Sequence, residues 1–237
     1  GLAVLVQTGR HALLYDAGPR YRSGFDVGEV VVVPAIHALG IARLDRFVVS
    51  HGDNDHAGGA GAVAAAFPAA ARLAGEPSRL RLSADTCQAG ERWTWDGVAF
   101  EVLSPPPGGA DGDNDSSCVL LVSGRSGRLL LTGDIGRRVE PAVAARVPAG
   151  APLVLLVPHH GSKTSSGAAF IAALAPDLAV VSTGWRNRFG HPRPEVVARY
   201  RQAGVPLLDT ARLGAIELDF PVAGPPRARP GWRARRA

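Results

Sequence analysis

Four apolar runs in this chain each end on a residue able to hold a metal ion or move a proton. Leu13-Leu14-Tyr15 runs into Asp16, and Phe47-Val48-Val49 into Ser50-His51. Leu129-Leu130-Leu131 runs into Thr132-Gly133-Asp134, and Leu153–Val157 into Pro158-His159-His160. Short apolar runs bounded by turn residues read as buried strands. The chain is thereby committed to sheets whose strands carry chemistry at their ends.

The remaining pattern fills in around those strands. Leu2–Gln7 and Ala12–Asp16 read as a hairpin turned at Thr8-Gly9-Arg10, and Val119–Ser123 with Arg128–Thr132 as a second one around Gly124–Gly127. Asp45–Ser50, Arg79–Leu82, Phe100–Ser104 and Leu178–Ser182 read as further strands, with Trp93 and Trp95 on a hairpin and Leu207–Leu208 and Ala215–Phe220 closing the series. Helices are expected over Val30–Leu39, the Ala-rich Gly58–Ala74, Val139–Ala145, Ala168–Leu174 and Glu195–Ala203, and Pro105–Asp115 is a Pro/Gly/Asp loop. Hairpins come first in each half and helices follow. That order suggests helices outside two packed sheets rather than one doubly wound parallel sheet.

Length and charge narrow the class. A chain of 237 residues with 46% apolar and 20% charged residues has an ordinary globular composition. No apolar stretch reaches the roughly 18 residues of a membrane span. Residues 1–220 read as one domain and 221–237 as an Arg/Pro-rich tail expected to be disordered. That tail holds five arginines and no acid, which accounts for the net charge of +5 and leaves the body neutral. The basic character is therefore no sign of a basic binding face. Cys87 and Cys118 are too few for a disulfide framework. They form one bridge or serve as two buried thiols, and buried small apolar residues are the plainer expectation.

The densest chemistry lies in Ser50-His51-Gly52-Asp53-Asn54-Asp55-His56-Ala57-Gly58-Gly59. His51, Asp53 and Asp55 alternate, so an extended loop can aim them at one point, and His56 follows at the turn into a helix. Four ligands in six residues suit two adjacent metals better than one. Capping the next helix would need a single Asp. Asp134 has two carboxylate oxygens and can bridge two cations. His159 and His160 stand beside Lys163, the only lysine of the chain. Asp16 fits the role of orienting a ligand histidine from behind.

In this order, Asp16, His51-x-Asp53-x-Asp55-His56, Asp134 and His160 resemble the metallo-β-lactamase superfamily. The phrases Ser-His-x-Asp-Asn-Asp-His-x-Gly-Gly, Leu-Thr-Gly-Asp, His-His-Gly-Ser-Lys-Thr-Ser-Ser and Arg188-Phe189-Gly190-His191-Pro192 resemble the C-terminal hydrolase domain of ComEC-type competence proteins in particular. The resemblance implies an αββα four-layer sandwich (a mixed α/β fold) with a two-metal site at one edge of its sheets. It also implies a parent inner-membrane channel for transforming DNA, with this domain on the periplasmic side, degrading the strand that does not enter. The departures are informative. The family's usual cluster has His where this chain has Asp53, and no His occurs between His56 and His159. Asp115, in Asn114-Asp115-Ser116-Ser117, stands where the missing ligand belongs. An oxygen-rich first position favours Mn²⁺ or Mg²⁺ over Zn²⁺.

The resemblance further implies hydroxide attack on a phosphodiester between two divalent ions. Metal ligands would be His51, Asp53, Asp55, His56, Asp115, Asp134 and His160. His159, Lys163 and His191 would assist at the phosphate or leaving oxygen, Asp55 would share in the catalysis, and Ser162, Lys163, Arg188 and His191 would contact substrate. DNA would be held by its backbone without sequence preference, since no recognition motif is present. Two other readings stay open. One is a small phosphoester substrate, as in phosphorylcholine esterases of the superfamily, favoured if the cleft is closed and aromatic. The other is a non-catalytic DNA-guiding module.

Overall fold

Alternation of side chains along the strands sets the layering. The computed structural model describes residues 1–109 and 114–231. β1 (Val4–Gln7) and β2 (Ala12–Tyr15) pair antiparallel, as the hairpin signal requires. A wide helical turn over Gly28–Val32 leads into α1 (Val33–Ala38). β3 (Arg46–Val49), the short α2 (Asn54–Ala57), α3 (Ala60–Ala66), β4 (Ala71–Ala74) and β5 (Asp85–Thr86) follow. β2 to β5 lie parallel and complete a five-stranded sheet in chain order.

The second sheet has seven strands. β6 (Arg92–Trp95), β7 (Val98–Ser104), β8 (Val119–Ser123) and β9 (Arg128–Leu131) form an antiparallel meander. After α4 (Glu140–Ala144), β10 (Leu153–Leu156) pairs parallel with β9. α5 (Ala168–Leu174), β11 (Leu178–Val181), α6 (Pro194–Gln202) and β12 (Leu207–Asp209) extend the parallel half. The strand order is β12-β11-β10-β9-β8-β7-β6. The short α7 (Thr210–Leu213) and a two-stranded ribbon of β13 (Ile216–Asp219) and β14 (Arg227–Pro230) close the described chain.

Three hydrophobic cores separate four layers. On β2, Leu13 and Tyr15 face the other sheet while Ala12 and Leu14 face α1 and α3. On β9 and β10, Leu129, Leu131, Val154 and Leu156 face the first sheet, and Leu130, Leu153 and Leu155 face α4, α5 and α6. Both faces of these strands are covered, so the runs carry no polar alternation. The result is the αββα sandwich that the sequence implied.

Several local expectations give way. The Ala-rich segment is helical only to Ala66; Pro68 stops it, and Ala71–Ala74 joins the sheet beside β3, where pairing outweighs alanine's helix preference. Arg79–Leu82 is no strand, since Pro77–Arg79 forms a 3-10 turn. The Pro105–Asp115 loop lies partly outside the described residues, and Asn114–Ser116 is a single 3-10 turn. The tail expected to be disordered contains β14, whose Arg229 pairs with Glu217 at 2.7 Å. The cysteines, expected foremost as separate thiols, are joined: Cys87 and Cys118 form a disulfide with Cα atoms 5.7 Å apart, buried between the two sheets.

Candidate metal centre

Parallel strands of both sheets end at one edge, and the polar strand-end residues meet there. Asp16 follows β2 with a φ of 61° and is fully buried. Its Oδ1 accepts from the Ser50 backbone N–H at 2.6 Å. Its Oδ2 accepts from Ser50 Oγ at 2.8 Å and from His56 Nδ1 at 2.7 Å. This leaves His56 Nε2 turned toward Asp134 Oδ1, at 3.1 Å. His51 is held in the same way. Ser50 Oγ gives its hydrogen to Asp16, so at 3.0 Å it accepts from His51 Nδ1. His51 Nε2 is then buried without any hydrogen-bond partner.

The second sheet supplies the opposing half. Asp134 lies beyond β9 on a turn at Gly133, whose φ is +55°. A Cβ at Gly133 would come within 2.7 Å of Ser117 and 2.9 Å of Ser50, so only glycine lets the two sheets' ends approach. Ser117 Oγ accepts from the Asp134 backbone N–H at 3.0 Å. After β10, His159 and His160 both have φ of 51°. Left-handed backbone in two consecutive histidines costs about 1–3 kcal/mol each and marks a position kept for its side chains. His160 Nδ1 donates to the Ser182 carbonyl at 2.8 Å. Its Nε2 is thereby aimed at Asp55 Oδ2, 3.1 Å away, and at His56 Nε2, also 3.1 Å away.

Charge follows this geometry. Burial works against ionisation of Asp134, but the surrounding His56, His160 and His51 override it and hold the carboxyl well below the usual range. Asp55, only half-buried, is likewise depressed by its bond to His160 and by His56. Burial also opposes a charge on His56, and Asp134 and Asp16 overcome it, so this imidazole is raised well above its ordinary value. His51, buried beside His56, is lowered.

Two triads of donor atoms result, His51–His56–Asp134 and Asp55–His56–His160, each with its ligand atoms within 4.8 Å of one another. The other residues singled out in the sequence lie around them. Asp53 pairs with Arg79 at 2.8 Å and stands 3.7 Å from His51 Nε2; its side chain caps no helix. Asp115 points elsewhere: Oδ1 accepts from the Gly136 N–H at 2.7 Å, and Oδ2 pairs with Arg138 at 3.0 Å. Its segment reaches the centre through Ser117, 3.5 Å from His51 Nδ1, and Asn114, 3.3 Å from His159 Nδ1. His159 Nε2 lies 3.8 Å from Asp134. Ser162 is buried with its hydroxyl 3.0 Å from Thr164 Oγ1, and the Lys163 side chain is exposed. The His191 ring stands 6.2 Å from that of His159. Its Nδ1 is buried without a partner, and burial together with His159 and His160 lowers its pKa. Arg188 lies over Phe189.

A family model described as the metallo-beta-lactamase superfamily matches residues 1–185. The chain belongs to that superfamily. It is 40% identical over 220 residues to Competence protein ComA of Neisseria gonorrhoeae, covering 92% of this chain and 30% of that one. It is 35% identical over 223 residues to Recombination protein 2 of Haemophilus influenzae, covering 93% and 28%. It is 30% identical over 233 residues to ComE operon protein 3 of Bacillus subtilis, covering 92% and 30%. The chain thus spans about 30% of the length of these curated relatives. Among solved structures it resembles the metallo-beta-lactamase fold protein YhfI of Bacillus subtilis, with a TM-score of 0.53, 11% identity and 87% of each chain covered, which is a likeness of fold.

Members of this superfamily are generally metal-dependent hydrolases, and the donors of this metallo-beta-lactamase domain fit a divalent cation. Three imidazoles spend Nδ1–H on a carboxylate, a hydroxyl or a carbonyl, which turns each Nε2 inward, where a cation would take the place of any proton. His51 Nε2 has no hydrogen-bond partner among the described residues. Depressed Asp134 and Asp55 supply negative charge to the same space. Sequence reading missed Ser50, the hydroxyl shared by Asp16, His51 and His56. Its signal was its place, directly before His51 at a strand end. Ser117 carried no such signal, because its contacts cross from one sheet to the other.

Proposed function

We propose that this domain is a divalent-metal-dependent phosphodiester hydrolase that acts on DNA within a larger competence-type protein. The observation that carries the reading is the convergence of Asp55, His56, His160, His51 and Asp134 at one strand edge, with the imidazole Nε2 atoms turned inward. His160, Asp55 and His56 would hold one cation. His51, with Asp53 beside it, would hold the other, and Asp134 would be shared. Bound there, such cations supply Lewis acidity toward phosphoryl oxygens and make water acidic enough to serve near neutral pH. Oxygen ligands are fewer than the sequence alone suggested, because Asp115 is turned away. Mn²⁺ remains the first choice to test, beside Mg²⁺ and Zn²⁺.

The chain's own groups divide the remaining work. Asp16 and Ser182 fix which nitrogen of His56 and His160 faces the site. His159, tied to Asn114 and to Thr164 at 3.3 Å, is placed to hydrogen-bond a phosphate oxygen. His191, whose ring stands 6.2 Å from that of His159, would assist at the leaving oxygen. A small phosphoester would call for a closed aromatic cleft, whereas the aromatics nearest His191 face water.

Relatives named for competence and recombination support DNA as substrate, and the resemblance to ComEC-type proteins would place a membrane channel elsewhere in the parent protein. Among the described residues no helix is long and apolar enough to cross a membrane. The Cys87–Cys118 disulfide supports a periplasmic location, since such bridges persist in oxidising compartments. The test is a gel assay on single-stranded and linear duplex DNA, with metal-stripped protein supplied with Mn²⁺, Mg²⁺ or Zn²⁺. Cleavage is expected with at least one metal, and Asp134→Ala should reduce it to background while lowering the metal retained on the protein. Full activity in Asp134→Ala, or none in the wild type under any metal, would sink the reading.

A further inference from the structure

The loop between β11 and α6 carries Ser182, which fixes His160, and ends at His191. Between them it places two large aromatics in water: Trp185 is 57% exposed and Phe189 56%. Each has an arginine of the same loop against its ring. The Arg186 guanidinium lies 6.0 Å from the Trp185 centroid, and that of Arg188 lies 4.9 Å from Phe189. The loop that carries these rings is tied across its base. Asn187 donates to the Gly184 carbonyl at 3.2 Å and to the His191 carbonyl at 2.7 Å, and accepts from the His191 N–H at 2.9 Å.

The patch is continuous with the metal centre. Phe189 lies nearly parallel to His191, at 16° and 6.0 Å between centroids. His191 faces His159 at 6.2 Å, and His159 reaches Asp134 at 3.8 Å. A file of rings therefore runs from solvent to the central carboxylate. Flat apolar faces beside fixed positive charge match a partner made of flat rings linked by phosphates. In a duplex the base faces are occupied by their neighbours, so a free ring can stack only on unpaired bases.

We propose that Phe189 and Trp185 stack bases of a single-stranded nucleic acid whose backbone crosses the metal centre, with Arg188 and Arg186 on the flanking phosphates. The surface reads no sequence, since every base offers a π-face. The inference deepens the hydrolase reading and rests on it only for where the scissile phosphate lies.

Binding in EDTA tests it without interference from cleavage. Fluorescence anisotropy would compare a labelled oligo-dT, an abasic oligonucleotide with the same number of phosphates, and a duplex of equal length. Wild type should prefer oligo-dT over both. Phe189→Ala and Trp185→Ala should each weaken oligo-dT binding by about tenfold, within the range of base–aromatic stacking, and leave abasic binding unchanged. Trp185→Phe should keep the affinity while abolishing the quench of intrinsic fluorescence on binding. Equal affinity for oligo-dT and abasic strands, a preference for duplex, or alanine variants that keep the oligo-dT preference would each overturn the proposal. A parallel measurement of wild-type hydrolysis of bis-p-nitrophenyl phosphate, a diester without bases, separates the two readings. Hydrolysis without base preference removes the stacking surface alone, and base preference without hydrolysis under any metal removes the catalytic reading alone.

Discussion

At the scale of single residues, the centre is built from pairs in which one group faces the site and another fixes its tautomer. Asp16 makes three hydrogen bonds with its two oxygens, to Ser50 twice and to His56 once. Asp16→Asn offers His56 Nδ1 an amide that can bond it in either tautomer, so Nε2 is no longer held as the inward lone pair. Groups in such supporting positions alter metal affinity by about 10–100-fold. We expect a loss of that size in isothermal titration with Mn²⁺ or Zn²⁺, with the fold intact by circular dichroism. The sequence picked out His51, Asp55, His56, Asp134 and His160 because each follows an apolar strand or a short turn, and the structure brings them together. Asp115 was misplaced because order along a chain fixes a segment and leaves open which of its side chains turns inward; Asn114 and Ser117 do so.

Among the elements, the link between the sheets matters most at the site. Cys118 sits one residue after Ser117, receives the Tyr15 hydroxyl on its carbonyl at 2.7 Å, and donates its N–H to the Ser50 carbonyl at 2.8 Å. The disulfide to Cys87, 31 residues away in sequence, ties the end of β5 to the start of β8 beside that network. Closing a loop of that length removes about 3–4 kcal/mol of denatured-state entropy. Cys87→Ser/Cys118→Ser should lose stability by about that amount in guanidinium unfolding, and reduction of the wild type should do the same. Strands β2, β9 and β10 were readable because both of their faces are buried. The bridge was not, because two cysteines in a sequence say nothing of the distance between their Cα atoms. The β6–β7 hairpin, expected from the sequence around Trp93 and Trp95, turns at Asp96-Gly97, both with positive φ, the two-residue turn such hairpins favour.

Across the whole molecule the sandwich is pinned at both ends. Opposite the metal centre, Asp96 on the β6–β7 turn reaches the β1–β2 turn of the other sheet. It accepts from His11 Nδ1 at 2.9 Å, Thr8 Oγ1 at 2.7 Å and the Arg10 N–H at 2.8 Å. Those donors, His11 first, hold its carboxyl well below the usual range. A carboxylate depressed in the folded state adds stability that is complete above its unfolded pKa, about 3.9. That stability is lost as pH falls from there through the folded value. The stability difference between wild type and Asp96→Asn should therefore be flat above about pH 5 and shrink below about pH 4 in urea melts taken across that range. The four layers follow from which strand faces are apolar. The pairing of β13 with β14 does not, because Arg227–Pro230 is exposed throughout and has no apolar pattern to announce it. One consequence concerns how such a domain can change over generations. The groups proposed to meet a substrate sit on turns beyond the strand ends, and most of the apolar groups that fill the cores sit within the strands and helices. Mutation can therefore retune one set without taxing the other. Ser50 and Ser117 are the exceptions: each serves both tasks, and a lineage that acquires a new chemistry at this edge has the least freedom at those two positions.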